Sequence, residues 1–471
     1  MSYAGDDVSA VCGDLGGDQF RCGYAGTDMP GFVYSAHVGY DADAASASSS
    51  SSSSSASKKS SKRAASSTPS SPASAPVDTV ASRYPRPGSI VGDVRLSARH
   101  DVELRSAFAR GDDPSVGGDL ALSNWDVVED LWGHAFSDQC LNVDSADTPC
   151  VVTVPTDASN AAIAKYLEIM FERFQVPAAF MLRKAVACAF AAGKTTTLVL
   201  DSGATGTVAA TVYDGFVLKR TAVRSPLGGN VLDEQVLRAV ETTCGSSVRP
   251  RFQFVKKRDA TGALKAVPVQ VVANGGSRRG GAQGGSSSGS VHASVLAAAK
   301  RRIARDIKEE HFCVPHTAYN AALAGAIPVA AYELPDGTPV SLGNCRYSIP
   351  ELLMNPGPLD DSTMKSVPDV VLECLEKTPV DVRREAAAQL LLTGGNTCID
   401  GFQQRLNLEL TSKLSNKLIK VRQHIPTPIE RRSAGFMGAS VLGSLGSFQQ
   451  LWISKMMYET RGAQALANHF T

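Results

Sequence analysis

Two distant stretches of this chain are built in the same order, and that repeat limits the possible folds more than any other feature. VSAVCGDLGGDQFRCGYAG, from Val8, reads as an apolar strand, an acid at Asp14, a glycine-containing turn and a second strand leading to Gly23 and Gly26. TLVLDSGATGTVAATVYDG, from Thr197, gives a strand, Asp201, a glycine turn and a strand again. Two such units predict two similar lobes. A tight glycine hairpin lets backbone N–H groups approach a phosphate with no Cβ in the way, and two facing hairpins can hold one nucleotide tail from both sides. The acids then sit where they could orient waters of a Mg²⁺ ion, which favours carboxylate and phosphate oxygens and keeps several waters. A single Asp-Ser-Gly turn is usually only a turn. It is the pairing that points to a ligand.

The residues leading into the second unit, AAGKTTT from Ala191, imitate a P-loop but do not form one. A P-loop has a glycine five residues before its Gly-Lys pair, where this chain has Cys188, and it joins a strand to a following helix. Here the apolar spacing before Gly193 (FMLRKAVACAFA) is helical and the β-branched TTTLVL after it is strand-like, so Lys194 is expected to end a helix, where a cation suits the dipole. A third glycine feature follows in AAAQLLLTGGNTCIDGFQQRLNLEL, from Ala386. It reads as an apolar strand, then Gly394-Gly395-Asn396, then an amphipathic helix with Phe402, Leu406 and Leu410 on one face. A glycine turn before a helix N-terminus suits an anionic or polar ligand.

The 471 residues carry a formal charge of +1, which argues against bulk electrostatic binding to nucleic acid as the main activity. The ten cysteines show no CxxC spacing, which disfavours structural zinc and a redox dithiol and fits a reducing compartment. MSYAGDDVSA has no apolar signal region, and no run is long enough to span a bilayer. Two low-complexity tracts, 44–76 (serine-rich) and 274–290 (NGGSRRGGAQGGSSSGS), hold too few large apolar groups to build a core and read as disordered insertions. KKSSKR, from Lys58, has the form of a nuclear import signal, or simply of a solvated basic cluster.

Outside the insertions, nearly the whole chain resembles the actin family. Asp14-Leu15-Gly16 looks like its first phosphate loop, Asp201-Ser202-Gly203 like its second, and Leu392-Thr393-Gly394-Gly395 like its adenosine loop. NWDVVEDLWGHAF from Asn124, RDIKEE from Arg305, YELPDGTPVSLGN from Tyr332 and SLGSFQQLWISKMMYE from Ser444 match in order. DSGAT, VRSPLGG from Val223 and ERR at Glu430 are most similar to the nuclear actin-related protein four class, actin-like subunits of chromatin-remodelling and histone acetyltransferase complexes. The resemblance implies an α/β, two-lobed, duplicated ribonuclease H-like fold, a five-stranded mixed sheet in each lobe, and ATP or ADP with Mg²⁺ in the cleft. It implies that Asp14, Leu15, Gly16, Asp201, Ser202 and Gly203 surround the phosphates, with Asp14 and Asp201 reaching the metal through water. Lys308, Glu309, Gly394, Gly395 and Asn396 would contact the nucleoside. Without the resemblance, RDIKEE reads as a solvated, charge-rich helix face. The implied division has lobe one begin at 1–43 and continue over 77–193, lobe two span 194–273 and 291–433, and C-terminal helices at 434–471 return to lobe one.

The departures from the family pattern matter as much. Gly17 and Asp18 replace a hydroxyl residue and a glycine, adding a carboxylate beside the phosphates, where it is unfavourable unless a cation intervenes. Lys184 stands in place of the glutamine that positions attacking water, Val208 in place of a histidine, and Ala204 in place of a carboxylate. An ammonium has no lone pair to accept a proton. Efficient hydrolysis is therefore not expected.

The serine tract falls where a filament contact should lie, and SIPELLMNPGPLDDSTMKSVP after Tyr347 reads as a solvated loop in place of an apolar plug, so filaments are not expected. GFMGASVLGSLGSFQQLWISKMM, from Gly435, holds small residues together with Phe436, Met437, Leu442, Leu445, Phe448, Leu451 and Trp452, more apolar area than its own lobe needs. The expected partner is a scaffold ATPase whose helicase-SANT-associated helix docks there, with conventional actin as a second partner, chromatin reached indirectly, and no membrane. The implied location is the nucleus, with the cytoplasm as a second site. A cytoskeletal filament-forming ATPase is the competing reading; a sugar kinase or chaperone ATPase fits less well.

Overall fold

The computed structural model describes residues 10–41, 86, 88–108, 123–258, 264–268, 291–320, 329–414, 423–424 and 426–470. Both low-complexity tracts, with KKSSKR inside the first, lie outside the described residues.

The internal repeat is a duplication of topology. In lobe one the central strand Val11–Leu15 pairs antiparallel with Gln19–Tyr24 and parallel with Cys150–Val154; Phe32–Ser35 lies beyond the hairpin and Ala178–Arg183 beyond the parallel strand. In lobe two Thr197–Ser202 takes the central place, antiparallel to Thr207–Tyr213 and parallel to Leu390–Thr393, with Gln423–His424 outside. Every residue of Val11–Leu15, Cys150–Val154 and Leu390–Thr393 is buried. Such continuous runs are what strands covered on both faces require.

Each sheet has six strands, not the five that the resemblance implied. In lobe one the addition is Ile453–Ser454, paired on the edge of Ala178–Arg183. In lobe two a single edge position is shared by Phe216–Val217 and Val223–Ser225, both paired with Thr207–Tyr213. A 3₁₀ turn at Lys219–Thr221 interrupts that edge, and the Thr211 amide donates to the Thr221 hydroxyl at 3.0 Å, so a side chain supplies the acceptor that the broken ladder lacks.

Helices Lys184–Ala191 and Pro428–Ser444 pack together between the sheets. The first ends as expected: Gly193 is left-handed, the Lys194 amide returns to the Ala189 carbonyl at 2.9 Å, and a strand begins at Thr197. The second opens with Pro428 at its first turn and a capping box between Thr427 and Glu430. Its small residues serve the fold itself. A Cβ on Gly438 would collide with the Ala187 carbonyl, one on Gly435 would lie 2.8 Å from Asp14 Oδ2, and one on Gly443 would lie 3.0 Å from Ala25. Phe436, Leu442 and Trp452 are buried, which corrects their expected place in an outward groove, whereas Val441, Leu445 and Leu451 remain exposed.

The segment after Tyr347 also departs from expectation. Its first half continues the helix Cys345–Glu351 and buries Ile349, Leu352, Leu353 and Met354 in the lobe-two core; the solvated part is 355–365. Ile349, Leu352 and Leu353 fall at i, i+3 and i+4, a helical spacing that the downstream prolines and aspartates obscure.

At the tips, strand Val102–Ser106 of a small sheet in lobe one meets the long helix Ala293–His311 of lobe two. Val102, Val291 and Val295 form a buried cluster with Leu104 and Phe252 against it. The Ser294 hydroxyl accepts from the Leu104 amide at 2.8 Å, so this contact has a polar anchor as well.

Candidate functional site

The two hairpins face each other, as the repeat predicts. Gly17 lies so close to Thr205 that a Cβ there would be 2.8 Å from the threonine hydroxyl. The second turn is tied to its own lobe: Gly229 N–H donates to the Gly203 carbonyl at 2.9 Å and Asn230 N–H to the Ala204 carbonyl at 2.8 Å, from the first turn of helix Gly229–Cys244.

Beneath the turns, Asp14, Asp201 and Lys184 converge. Asp14 is fully buried; Thr153 donates its hydroxyl to Oδ1 at 2.7 Å, and Oδ2 has no hydrogen-bond partner. Lys184 is the first residue of its helix, directly after strand Ala178–Arg183, which delivers its ammonium to 3.2 Å from Asp201 Oδ2. Asp201 Oδ1 is likewise unpartnered. Burial alone would pull the Lys184 pKa down, but the carboxylates of Asp201 and Asp14 outweigh it and raise it well above the ordinary lysine range. The ammonium is charged at neutral pH.

The other expected residues divide into those at the cleft and those that are not. The Leu15 side chain belongs to the lobe-one core, so only its backbone faces the turn. Ser202 shares a 2.8 Å hydroxyl contact with Thr207, and Asn396 Nδ2 donates to Ser202 Oγ at 3.2 Å and to the Gly203 carbonyl at 2.9 Å. The glycine turn after strand Leu390–Thr393 is thus stitched to the second hairpin. Gly394 has φ 88°, and a Cβ there would lie 2.6 Å from Asp201 Oδ1; Gly395 has open space where its Cβ would be. Lys308 is buried, with Nζ 2.5 Å from Asp233 Oδ1 and 3.3 Å from the Gly229 carbonyl. A Cβ on Gly229 would meet Asn396 Oδ1 at 3.1 Å and Lys308 Nζ at 3.4 Å, which puts all three at one wall. Glu309 is exposed and reaches Arg432 at 3.2 Å.

Sequence reasoning missed the cation that answers Asp18. Arg305 crosses from lobe two, its Nη1 2.5 Å from Asp18 Oδ2 and its Nε 3.4 Å from Asp233. Burial would raise the Asp18 pKa, but Arg305 holds it below the ordinary carboxylate range. The i, i+3 spacing of Arg305 and Lys308, which puts both on one helix face, was the available signal. A second bridge, Arg224 Nη1 to Asp157 Oδ2 at 2.9 Å, also joins the lobes and had no signal. A cavity of about 640 Å³ opens at the mouth, lined by Asp18, His37, Phe252, Val295, Arg301 and Arg305 among others.

The two glycine turns, the ammonium and the free space at Gly395 fit an anionic ligand with a polar head, and the unpartnered oxygens of Asp14 and Asp201 can only accept. The set as a whole fits a hydrated divalent ion poorly. Magnesium-bound water needs acceptors, and the third group at the floor, Lys184, offers only donors. Among the described residues no group of three or more His, Cys, Asp or Glu side chains could hold a metal directly. Val208 lies across the ladder from Asp201 on the same face and brings an apolar side chain to the place of a proton carrier.

A family model described as Actin matches residues 5–471. The chain is 32% identical to Actin-related protein 4 of Oryza sativa subsp. japonica over 98% of each chain. It is 34% identical to Actin-related protein 4 of Arabidopsis thaliana, again over 98% of each, and 29% identical to Actin-related protein 4 of Yarrowia lipolytica over 98% of this chain and 96% of the relative. The duplicated sheets, the facing hairpins and these matches agree: the chain belongs to the actin family.

Proposed function

We propose that this protein is a non-polymerising nuclear subunit of chromatin-remodelling and histone-modifying complexes, which binds ATP or ADP between its lobes and docks a helicase-SANT-associated helix of a scaffold ATPase. The carrying observation is the apolar row left on the surface where helix Pro428–Ser444 ends: Val441 and Leu445 are each 45% exposed, Leu451 is 61% exposed, and half-buried Phe448 lies beside them. Val441 and Leu445 stand one turn apart, the spacing at which a partner helix lays its own apolar face. The same helix packs on strands of both lobes, so a partner held there senses their relative angle and links nucleotide state to assembly.

Nucleotide binding is supported by the paired glycine turns and the Gly394-Gly395 turn stitched to the second hairpin. Turnover is not. Lys184 cannot accept a proton from water, and Val208 has nothing to offer it.

Co-expression with a helicase-SANT-associated helix should give a one-to-one complex on size exclusion, weakened by Leu445→Asp with Leu451→Asp. Pelleting under actin polymerisation conditions, with no binding to such a helix, would instead support a filament-forming role. Purified protein should release ATP or ADP on denaturation, and added nucleotide should raise the melting temperature by mass action. Hydrolysis at roughly ten per second, an ordinary enzyme rate, would contradict the structural role.

A further inference from the structure

We infer that Lys184 is the resident counter-cation of the cleft floor, so that nucleotide binds this protein without a divalent metal. The inference rests on the nucleotide reading above and deepens it.

Asp14 and Asp201 come from opposite lobes and bring two carboxylates toward one place. Their approach needs a cation. The fold supplies one covalently: the Lys184 ammonium is 3.2 Å from Asp201. Of the other cations around the cleft, Arg305 is committed to Asp18 and Asp233 and Lys308 to Asp233, while Arg21 on the first hairpin donates to Gln19. The ion pair with Asp201 holds the ammonium at the floor, and its N–H groups are the kind of donor that phosphate oxygens accept from.

A metal-dependent floor would be built differently. Hydrated Mg²⁺ surrounds itself with water hydrogens that must find acceptors, and each acceptor removed weakens the organisation of that shell. Here Lys184 opposes the ion twice, by presenting N–H groups to its waters and by placing a positive charge beside a doubly positive ion. The unpartnered oxygens, Asp14 Oδ2 and Asp201 Oδ1, can accept from such waters, but an ion held there would share the floor with the Lys184 ammonium, 3.2 Å from Asp201. Exchanging one mobile dication for one tethered monocation also fixes the charge of the site whatever the metal concentration.

The test is ATP and ADP affinity, measured by calorimetry and by thermal shift on the full chain stripped of nucleotide, in Mg²⁺ and in EDTA. Wild type should bind within about threefold in the two conditions. Lys184→Gln, which replaces the ammonium by an amide carrying an acceptor, should lose about tenfold or more in EDTA and recover in Mg²⁺. Wild-type affinity that falls about tenfold or more in EDTA overturns the inference and leaves the nucleotide reading standing. A Lys184→Gln variant that is as indifferent to metal as wild type overturns it too. If that variant does not fold, the wild-type comparison decides alone. No binding in either condition removes the nucleotide reading itself, and the inference falls with it.

Discussion

The two hairpins share a topology and differ in what secures them. The lobe-one turn, Gly16-Gly17-Asp18, ends in a charge, and its tie to the rest of the cleft is the ion pair from Asp18 to Arg305 of the opposite lobe. The lobe-two turn, Gly203-Ala204-Thr205, is neutral and secured within its own lobe by the Ser202–Thr207 hydroxyl pair, the Asn396 amide and the first turn of helix Gly229–Cys244. Duplication thus preserved the backbone and let the fastening diverge. One hairpin is a fixed wall; the other is a clasp that closes on the facing lobe.

That contrast puts the largest effect at the wall, where it is tightest. Gly394→Ala places a Cβ against the Ser202 carbonyl at a φ of 88°, and should cost about 3 kcal/mol, read as a lowered urea midpoint. Gly16→Ala, in the clasp, meets the Gln19 carbonyl at 3.2 Å and Arg21 Nη1 at 3.7 Å without a positive φ, and should cost under about 1 kcal/mol in the same measurement. Ser202→Ala comes next: it removes a buried hydroxyl that Thr207 and Asn396 both use, with a loss of about 1–2 kcal/mol that does not change between 0.05 and about 1 M salt.

Asp18→Asn should cost about 1 kcal/mol at neutral pH and shrink with salt, because its partner is a charge at the rim of the cleft. Its pH dependence has a definite sign. The Asp18 pKa is lowered on folding, so its stabilisation is complete above the unfolded carboxyl value and disappears as pH falls through the lower, folded one. The asparagine variant should therefore show a flatter acid limb in melting temperature against pH, while Ser202→Ala runs parallel to wild type. The smallest change is Glu309→Gln: its exposed pair with Arg432 should contribute less than about 0.5 kcal/mol, and a larger loss would mean that this edge of the site carries more of the fold than its exposure indicates.

Much of this was legible in the chain. The strands around Asp14 and Asp201 announce themselves because an apolar run, an acid and a glycine turn recur in order, and the end of helix Lys184–Ala191 follows from the change of period at Gly193. The burial of Phe402, Leu406 and Leu410 follows from their spacing alone. What could not be read is pairing across the fold. Asp18 looks harmful to a phosphate until Arg305 is placed beside it; the i, i+3 spacing with Lys308 shows which way Arg305 faces but does not name its partner. The glycines of Pro428–Ser444 misled for a related reason. Small residues announce a close approach, but the sequence does not say that the visitor is Ala187 of the same chain.

That approach has a mechanical consequence. At Gly438 and Ala187 two helices meet backbone to backbone, with no side chain on the glycine to interlock. One helix belongs to the passage from lobe one into lobe two, and the other touches both sheets. A joint of that kind behaves as a ball bearing: the helices can roll about the contact with little repacking, whereas sliding drives the flanking Phe436 and Leu442 out of their seats. A rotation of one lobe on the other would also have to be met at the second apolar contact between them, the cluster of Val102, Val291 and Val295.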